Sequence, residues 1–389
     1  MQSTCMRQSM EDPIMNKRNN VIVAGHICLD ITPVFSSQEA GMLDQILIPG
    51  KLIHMEEADV HTGGCVANTG LAMKLLGAEV SLMGKVGKDN FGQSIANIFK
   101  EYGVENGLII DEESTTSYSV VIAPPGIDRI FLHHPGANDT FSCDDVRNEQ
   151  LEDVVLFHFG YPPLMRRMYI DEGEELIRLF KRIKSKGIIT SLDMAAVDPS
   201  SEAGRQDWRI ILERLLPFVD IFAPSAEELC YMLDSKRFDE WNKRAAGGDI
   251  TKVLRIDDDV DPLGRQLIEM GVKIALIKCG SPGLYYRTAS VINMDLIINP
   301  AEWTNRCGFE RSFKPNRVVS ATGAGDTTIA AFLTSILNNY PLEKCLQMAT
   351  ATGALNVTEY DALSGLKTFP EIEAMINGGW EKKGEEYAC

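Results

Sequence analysis

The stretch best equipped for chemistry lies near the end of the chain: Val318-Val319-Ser320-Ala321-Thr322-Gly323-Ala324-Gly325-Asp326-Thr327-Thr328. A strand-like apolar pair leads into two glycines, followed by an acid and two small hydroxyl residues at the start of a helical pattern. Glycines let the backbone turn sharply and aim several N–H groups at one spot. A helix start adds about half a positive charge there. Gly323, Ala324 and Gly325 therefore read as an anion hole suited to a transferring phosphoryl group, and Asp326 stands where a carboxylate can take a proton from an attacking hydroxyl. An ordinary turn followed by a helix-start acid would use the same residues, so the local string leaves both readings open. No Gly-Lys-Ser/Thr follows, which excludes a Walker A loop, and a dinucleotide fingerprint should open a fold rather than close it.

A second candidate is His61-Thr62-Gly63-Gly64-Cys65-Val66-Ala67-Asn68-Thr69-Gly70. Paired glycines ahead of a helix let a ligand approach the backbone, and Asn68 in the first turns can offer an amide to a polyol. A tight turn with Asn68 near the cap is the plainer alternative.

The elements that must hold these residues follow from hydrophobic period. Short apolar runs at 21–24, 80–83, 154–159, 188–192, 221–222 and 274–277 predict buried strands. Helical patterns lie between them: Leu71, Leu75 and Leu76 close at Gly77, Leu176, Leu179, Phe180 and Ile183 close at Gly187, and Ile329, Phe332, Leu333 and Ile336 run on to Asn338. The alternation predicts an α/β fold over residues 21–380, a mostly parallel sheet flanked by helices on both faces. Residues 1–20 read as a flexible N-terminal tail. Residues 30–62 and 114–138 break the rhythm. The latter alternates around Pro124-Pro125-Gly126, and the two together predict a small β-sheet lid. Residues 235–262, ending in Asp257-Asp258-Asp259, read as a solvated insertion, and so do residues 294–316.

Charge and composition narrow the function. With 38 Lys+Arg against 55 Asp+Glu, the 389 residues carry −17, which argues against nucleic acid and anionic membrane surfaces as partners. A phosphorylated small molecule stays open, because one pocket can oppose the global field. No run of about 18 apolar residues predicts a membrane helix, and the first twenty residues lack the apolar core of a secretory signal. The nine cysteines are odd in number and free of C-x-x-C, which predicts reduced thiols and a cytoplasmic protein. His133 and His134 have no Cys partners at ligand spacing, so zinc is not expected.

Gly63-Gly64-x-x-x-Asn68, then Gly84-Lys85-Val86-Gly87-Lys88-Asp89-x-x-Gly92 and finally Thr322-Gly323-Ala324-Gly325-Asp326 resemble the signature regions of the ribokinase-like (PfkB) carbohydrate kinases, in the right order. Smaller likenesses lie between and around them. They run from Gly25 to Asp30, from Arg129-Ile130-Phe131 to Gly136-Ala137-Asn138, and through Leu192-Asp193 with Trp208. Others are Ala223-Pro224-Ser225-Ala226-Glu227-Glu228, Lys278-Cys279-Gly280-Ser281-x-Gly283 and Ser364-Gly365-Leu366. The resemblance implies a ribokinase-like fold and transfer of the γ-phosphate of ATP to a hydroxyl of a small sugar or sugar acid. It implies Asp326 as general base and Gly323, Ala324 and Gly325 as the anion hole. By the same resemblance Asp30, Gly63, Gly64, Asn68 and Asn138 hold the sugar, and Lys278, Gly280, Gly283, Asn356 and Ser225 line the nucleotide. Glu228 would orient Mg²⁺ through water, and a homodimer would form through the lid.

The chain also departs from the family pattern. Ser225 replaces the usual Asn before x-x-Glu, and Ser320-Ala321 replaces an Asp-Thr that helps bind a monovalent cation in potassium-activated members. Tyr360-Asp361-Ala362 lacks a usual glycine. Cys65 stands where members acting on sugar phosphates often have Lys, which favours a neutral sugar or sugar acid. At most one of His133 and His134 should face substrate, since alternate residues of a strand point apart, while His158 at a strand end reads as a core histidine. Two alternatives remain. One is a nucleoside kinase with Phe131 or Tyr118 forming a base slot, and the other is a sugar-binding regulatory protein without turnover.

Overall fold

In the computed structural model, residues 20–35, 48–124 and 130–384 are described. The expected tail therefore lies outside the described residues except for Asn20, as do residues 36–47 of the lid segment and Arg129. The strands run in chain order as β1 (Asn20–Gly25), β2 (Cys28–Thr32), β3 (Asp59–Gly63), β4 (Glu79–Met83), β5 (Lys85–Gly87), β6 (Ile109–Asp111) and β7 (Tyr118–Ile122). There follow β8 (Ile130–His134), β9 (Val154–Gly160), β10 (Ile189–Leu192), β11 (Ile221–Phe222), β12 (Ile274–Lys278), β13 (Gly283–Thr288) and β14 (Cys307–Arg311).

Eight strands form the main sheet in the order β14-β13-β12-β11-β10-β9-β1-β4. The six apolar runs are its parallel part, from β12 to β4, and β13 and β14 extend it antiparallel. Successive residues of a strand point to opposite faces, so β1 feeds two cores. Val21 and Val23 join the helices Cys65–Leu75, Ala324–Leu337 and Leu342–Asn356 on one side. Ile22 and Ala24 join Arg166–Ser185 and Trp208–Leu215 on the other. Burial on both faces is why most of these strands read as largely apolar runs.

Two segments expected to be solvated are packed. In 235–262, Trp241 is 1% exposed and lies in one core with Ile250, Leu254, Ile256 and Val260. Asp259 is buried too, accepting from the Trp241 indole at 3.1 Å and the Arg244 guanidinium at 2.6 Å. Its neighbours' charges hid a few large anchors in the sequence. Residues 294–316 bury Trp303 and Phe313 and contribute β14 to the main sheet.

A second sheet, β3-β2-β7-β8, grows from the end of β1 and returns through β3 into the helix Cys65–Leu75. All of its pairings are antiparallel except β2 with β7. Register places His61, Asp30, Ser119 and His133 in one row across it, and Val60, Ile31, Val120 and Leu132 in the alternate row. No helix among the described residues is long and apolar enough to cross a membrane.

Candidate active site

The helix Ala324–Leu337 starts from Gly323, whose φ of 73° is left-handed and whose Cβ, if present, would lie 2.4 Å from Cβ of Ala362. Only glycine suits that position. The first N–H groups of a helix have no partner within it. Of the three expected to form an anion hole, the Ala324 N–H turns back to the Ala321 carbonyl at 3.3 Å. Gly325 lies against the Lys278 stem, 3.4 Å from Cδ to a would-be Cβ.

Asp326, one turn into this helix, is 3% exposed. Asn68 Nδ2 donates to its Oδ2 at 3.0 Å, Thr69 Oγ1 to its Oδ1 at 3.3 Å, and the Tyr161 hydroxyl reaches both oxygens at 2.7 Å. Burial pushes the Asp326 carboxyl above its ordinary value, while Tyr161, Lys278, Asn68 and Thr69 oppose that rise. Such a carboxylate is a stronger base than one in water.

Asp326 opens onto a cavity of about 570 Å³, whose lining also includes Asp193, Ser225, Glu228, Lys278, Gly280 and Gly283. The Lys278 ammonium donates to Asp193 Oδ1 at 2.6 Å, both groups being buried. Burial alone would lower Lys278, but the carboxylates of Asp193 and Glu228 hold it above its ordinary value, so it stays cationic. Ser225 and Glu228 cap the helix Ala226–Leu233 reciprocally: the Ser225 N–H donates to Glu228 Oε2 at 2.7 Å, and the Glu228 N–H to Ser225 Oγ at 3.1 Å. Gly280 lets Thr251 approach, since an added Cβ would lie 2.6 Å from its methyl. Thr251 also lines the cavity, so the segment expected to be a solvated insertion forms part of this wall.

On the far side of Asp326, β2, β3 and the start of Cys65–Leu75 bring Asp30, Gly63, Gly64 and Asn68 together. The paired glycines make room for side chains. A Cβ on Gly63 would lie 2.1 Å from Asp30 Oδ2, and one on Gly64, at φ 83°, 2.6 Å from His26 Nδ1. Asp30 accepts from the Cys28 thiol at 3.2 Å. His133 reaches across from β8, its Nε2 3.4 Å from Nε2 of His26, and its Nδ1 pairs with Ser119 at 3.0 Å. Burial, and then His133, pull His26 down to about 3, so that ring is neutral, and desolvation also lowers His133 while Asp30 opposes it.

Two expectations need correction. Asn138 is fully buried and spends its amide on backbone: it accepts from the Ile27 N–H at 3.1 Å and donates to the carbonyls of Ile27 and Pro135. It fixes the β1–β2 turn and does not offer a sugar contact. Asn356 is also fully buried, donates to the Ala362 carbonyl at 2.9 Å and does not line the cavity. It sits beneath Gly323 and supports the loop. Of the two alternatives for a base slot, register puts Phe131 on the same face of the small sheet as His133 and Tyr118 on the opposite one, where Tyr118 packs on Phe91 at 5.4 Å. Of the adjacent histidines only His133 faces the site, while His134 pairs with Thr115 on the other face. His158 is a core residue bonded to Ser191.

Sequence reasoning passed over Tyr161, Thr69, His26 and Thr251. Tyr161 alone carried a signal, an aromatic between Gly160 and Pro162 at the carboxyl end of an expected strand, where ligands of open α/β sheets gather.

The model of the pfkB family of carbohydrate kinases matches residues 20–368. An uncharacterized sugar kinase of Archaeoglobus fulgidus is 24% identical over 301 residues, covering 76% of this chain and 98% of that protein. Probable fructokinase-4 of Arabidopsis thaliana is 24% identical over 331 residues, 81% of this chain and 87% of its own. Among solved structures, a putative ribokinase II of E. coli in complex with ATP and Mg²⁺ superposes with a TM-score of 0.68 at 20% identity, covering 92% of this chain and 99% of the other.

Proposed function

The chain belongs to the pfkB family of carbohydrate kinases, and from that premise we propose that it moves the γ-phosphoryl group of ATP to a hydroxyl of a small sugar or sugar acid, with Asp326 as the general base. The observation that carries the reading is the position of Asp326. A buried carboxylate with a raised affinity for protons stands at a helix start, on a cavity that also holds a lysine and a second carboxylate.

ATP would lie in the 570 Å³ cavity, its γ-phosphate toward Gly323 and Gly325 and its charge met by Lys278. The acceptor would lie on the far side of Asp326, between Asp30, Gly64, Asn68 and His133. Phosphoryl transfer needs in-line positioning and charge stabilisation more than a strong nucleophile, so Asp326 takes the proton late. Among the described residues no three metal-binding side chains cluster. That suits magnesium, which keeps most of its water and borrows phosphate oxygens, needing only a carboxylate or two. Glu228 would hold it through water, and the ion would supply charge to bridge the phosphates. Ser225 already caps Glu228, which supports the shorter side chain in place of Asn.

The small sheet would close over the acceptor and keep water from ATP. Val60 and Leu132, at the two edges of one row of this sheet, are 47% and 53% exposed, which supports pairing of two copies through the lid. Light scattering should then give twice the chain mass at micromolar concentration. The buried unpaired thiols, Cys28, Cys65 and Cys345 among them, support a cytoplasmic setting.

A coupled assay with MgATP against pentoses, ketohexoses, sugar acids and nucleosides tests the function. The expected result is ADP release with at least one sugar and a phosphorylated hydroxyl by product NMR. No turnover across the panel refutes it.

A further inference from the structure

Resting on Asp326 as the base, we propose that the Tyr161 hydroxyl is a placeholder: it occupies the acceptor hydroxyl's position on Asp326 until the sugar displaces it, and so keeps water off the base.

A carboxylate offers about four lone-pair sites. Asn68 and Thr69 take one contact each, and the Tyr161 hydroxyl, with one proton to share, sits 2.7 Å from both oxygens and so covers the edge between them. An acceptor hydroxyl that approaches Asp326 along that edge takes the place of the phenol. Of the three donors Tyr161 stands where the two sides meet, lining the nucleotide cavity with its ring 6.1 Å from His26 on the acceptor side; Asn68 and Thr69 sit on the helix Cys65–Leu75, packed among its buried residues. Tyr161 is the one that can yield.

Its backbone points the same way. Tyr161 has φ 65° and ψ 41°, left-handed for a bulky residue, and it precedes Pro162, which disfavours helical conformations before it. Strain of this kind persists only where the surroundings impose it, and it gathers at functional sites. The Tyr161 N–H is tied to the Asp193 carbonyl at 3.4 Å, and its ring lies 6.1 Å from that of His26, which in turn meets His133 on the lid. The phenol thus stands between base, nucleotide wall and lid. Burial, reinforced by the charges of Asp326 and Asp193, keeps its proton in place, so it donates.

The test is Tyr161→Phe, which keeps the ring and removes only the oxygen. With MgATP and no sugar, ATP hydrolysis should rise about tenfold, because losing one charge-assisted hydrogen bond frees the base for water. The rise should vanish in an Asp326→Asn background. In the same variant the acid limb of kcat/KM, which reports the enzyme without sugar, should move to higher pH, since there the phenol is one of the groups opposing the rise in the Asp326 carboxyl. A merely structural tyrosine would move neither readout. If acceptor-free hydrolysis or the acid limb stays at its wild-type value, or the rise persists without Asp326, the proposal is overturned. Wild-type turnover of a sugar from the panel is read separately, so failure of the placeholder and failure of the kinase reading are distinguishable.

Discussion

Replacing Asp326 by Asn should move activity and stability in opposite directions. The side chain keeps its shape in a site that is 3% exposed. Asn68 donates here through Nδ2, so the new carbonyl oxygen should face it, leaving the new amide toward the Thr69 hydroxyl, which can accept. The Tyr161 hydroxyl keeps one acceptor of its two. Loss of the base should cut kcat about 10²–10⁴-fold, or about 2.7–5.5 kcal/mol of transition-state stabilisation. Stability should rise, because burial has pushed this carboxyl up and the folded state resists its charge. Relieving a buried charge brings about 1 kcal/mol at the low end, which for a chain of this size is a melting point about 1–2 °C higher.

The sign follows from linkage. A carboxyl whose folded value lies above its unfolded one contributes stability that is complete below the unfolded value and is lost as pH rises through the folded one. The advantage of the variant should therefore be full at pH 8 and shrink as pH falls through the window between the ordinary carboxylate value and the raised one. Thermal melts at pH 8 and pH 5, beside a coupled assay, read all of this. Turnover within tenfold of wild type, or a melting point lowered at pH 8, refutes the reasoning.

Gly64→Ala should cost about 2–4 kcal/mol by urea denaturation, from the left-handed backbone and a Cβ forced to 2.6 Å from His26. A loss under about 0.5 kcal/mol would mean the turn is not tight. Glu228→Gln retains the cap on Ser225, so stability should hold within about 0.5 kcal/mol, while the magnesium concentration for half-maximal rate should rise about tenfold or more. An unchanged magnesium requirement would remove Glu228 from the ion's shell. Trp241→Ala should cost about 3–5 kcal/mol; a loss below about 1 kcal/mol would restore residues 235–262 to the solvent.

Most of the parallel strands of the main sheet were readable because burial on both faces leaves them largely apolar, and the helix C-termini because Gly77 and Gly187 mark them. The small sheet was readable from alternation. The packed role of 235–262 was not, because one Trp and a few aliphatics among many charges leave a weak period, and Asp259 looks exposed until Arg244 is brought to it. At the site, Asp326 and the glycines could be named from local order, since a strand, a tight turn and a helix start are contiguous.

What the sequence by itself determined is therefore the local chemistry and the elements that carry it. Only the tertiary structure decided which of those residues meet. Tyr161 and Asp326 are 165 positions apart, Asn68 and Asp326 258, and Asp193 and Lys278 85. Hydrophobic period is written residue by residue, but convergence at strand ends depends on strand order and register, which no neighbour in the chain encodes. The same folding turned Asn138 and Asn356 inward, where their amide N–H groups donate to backbone carbonyls, and set the Tyr161 hydroxyl on the base, because a buried donor takes the acceptor that the packed chain brings within reach.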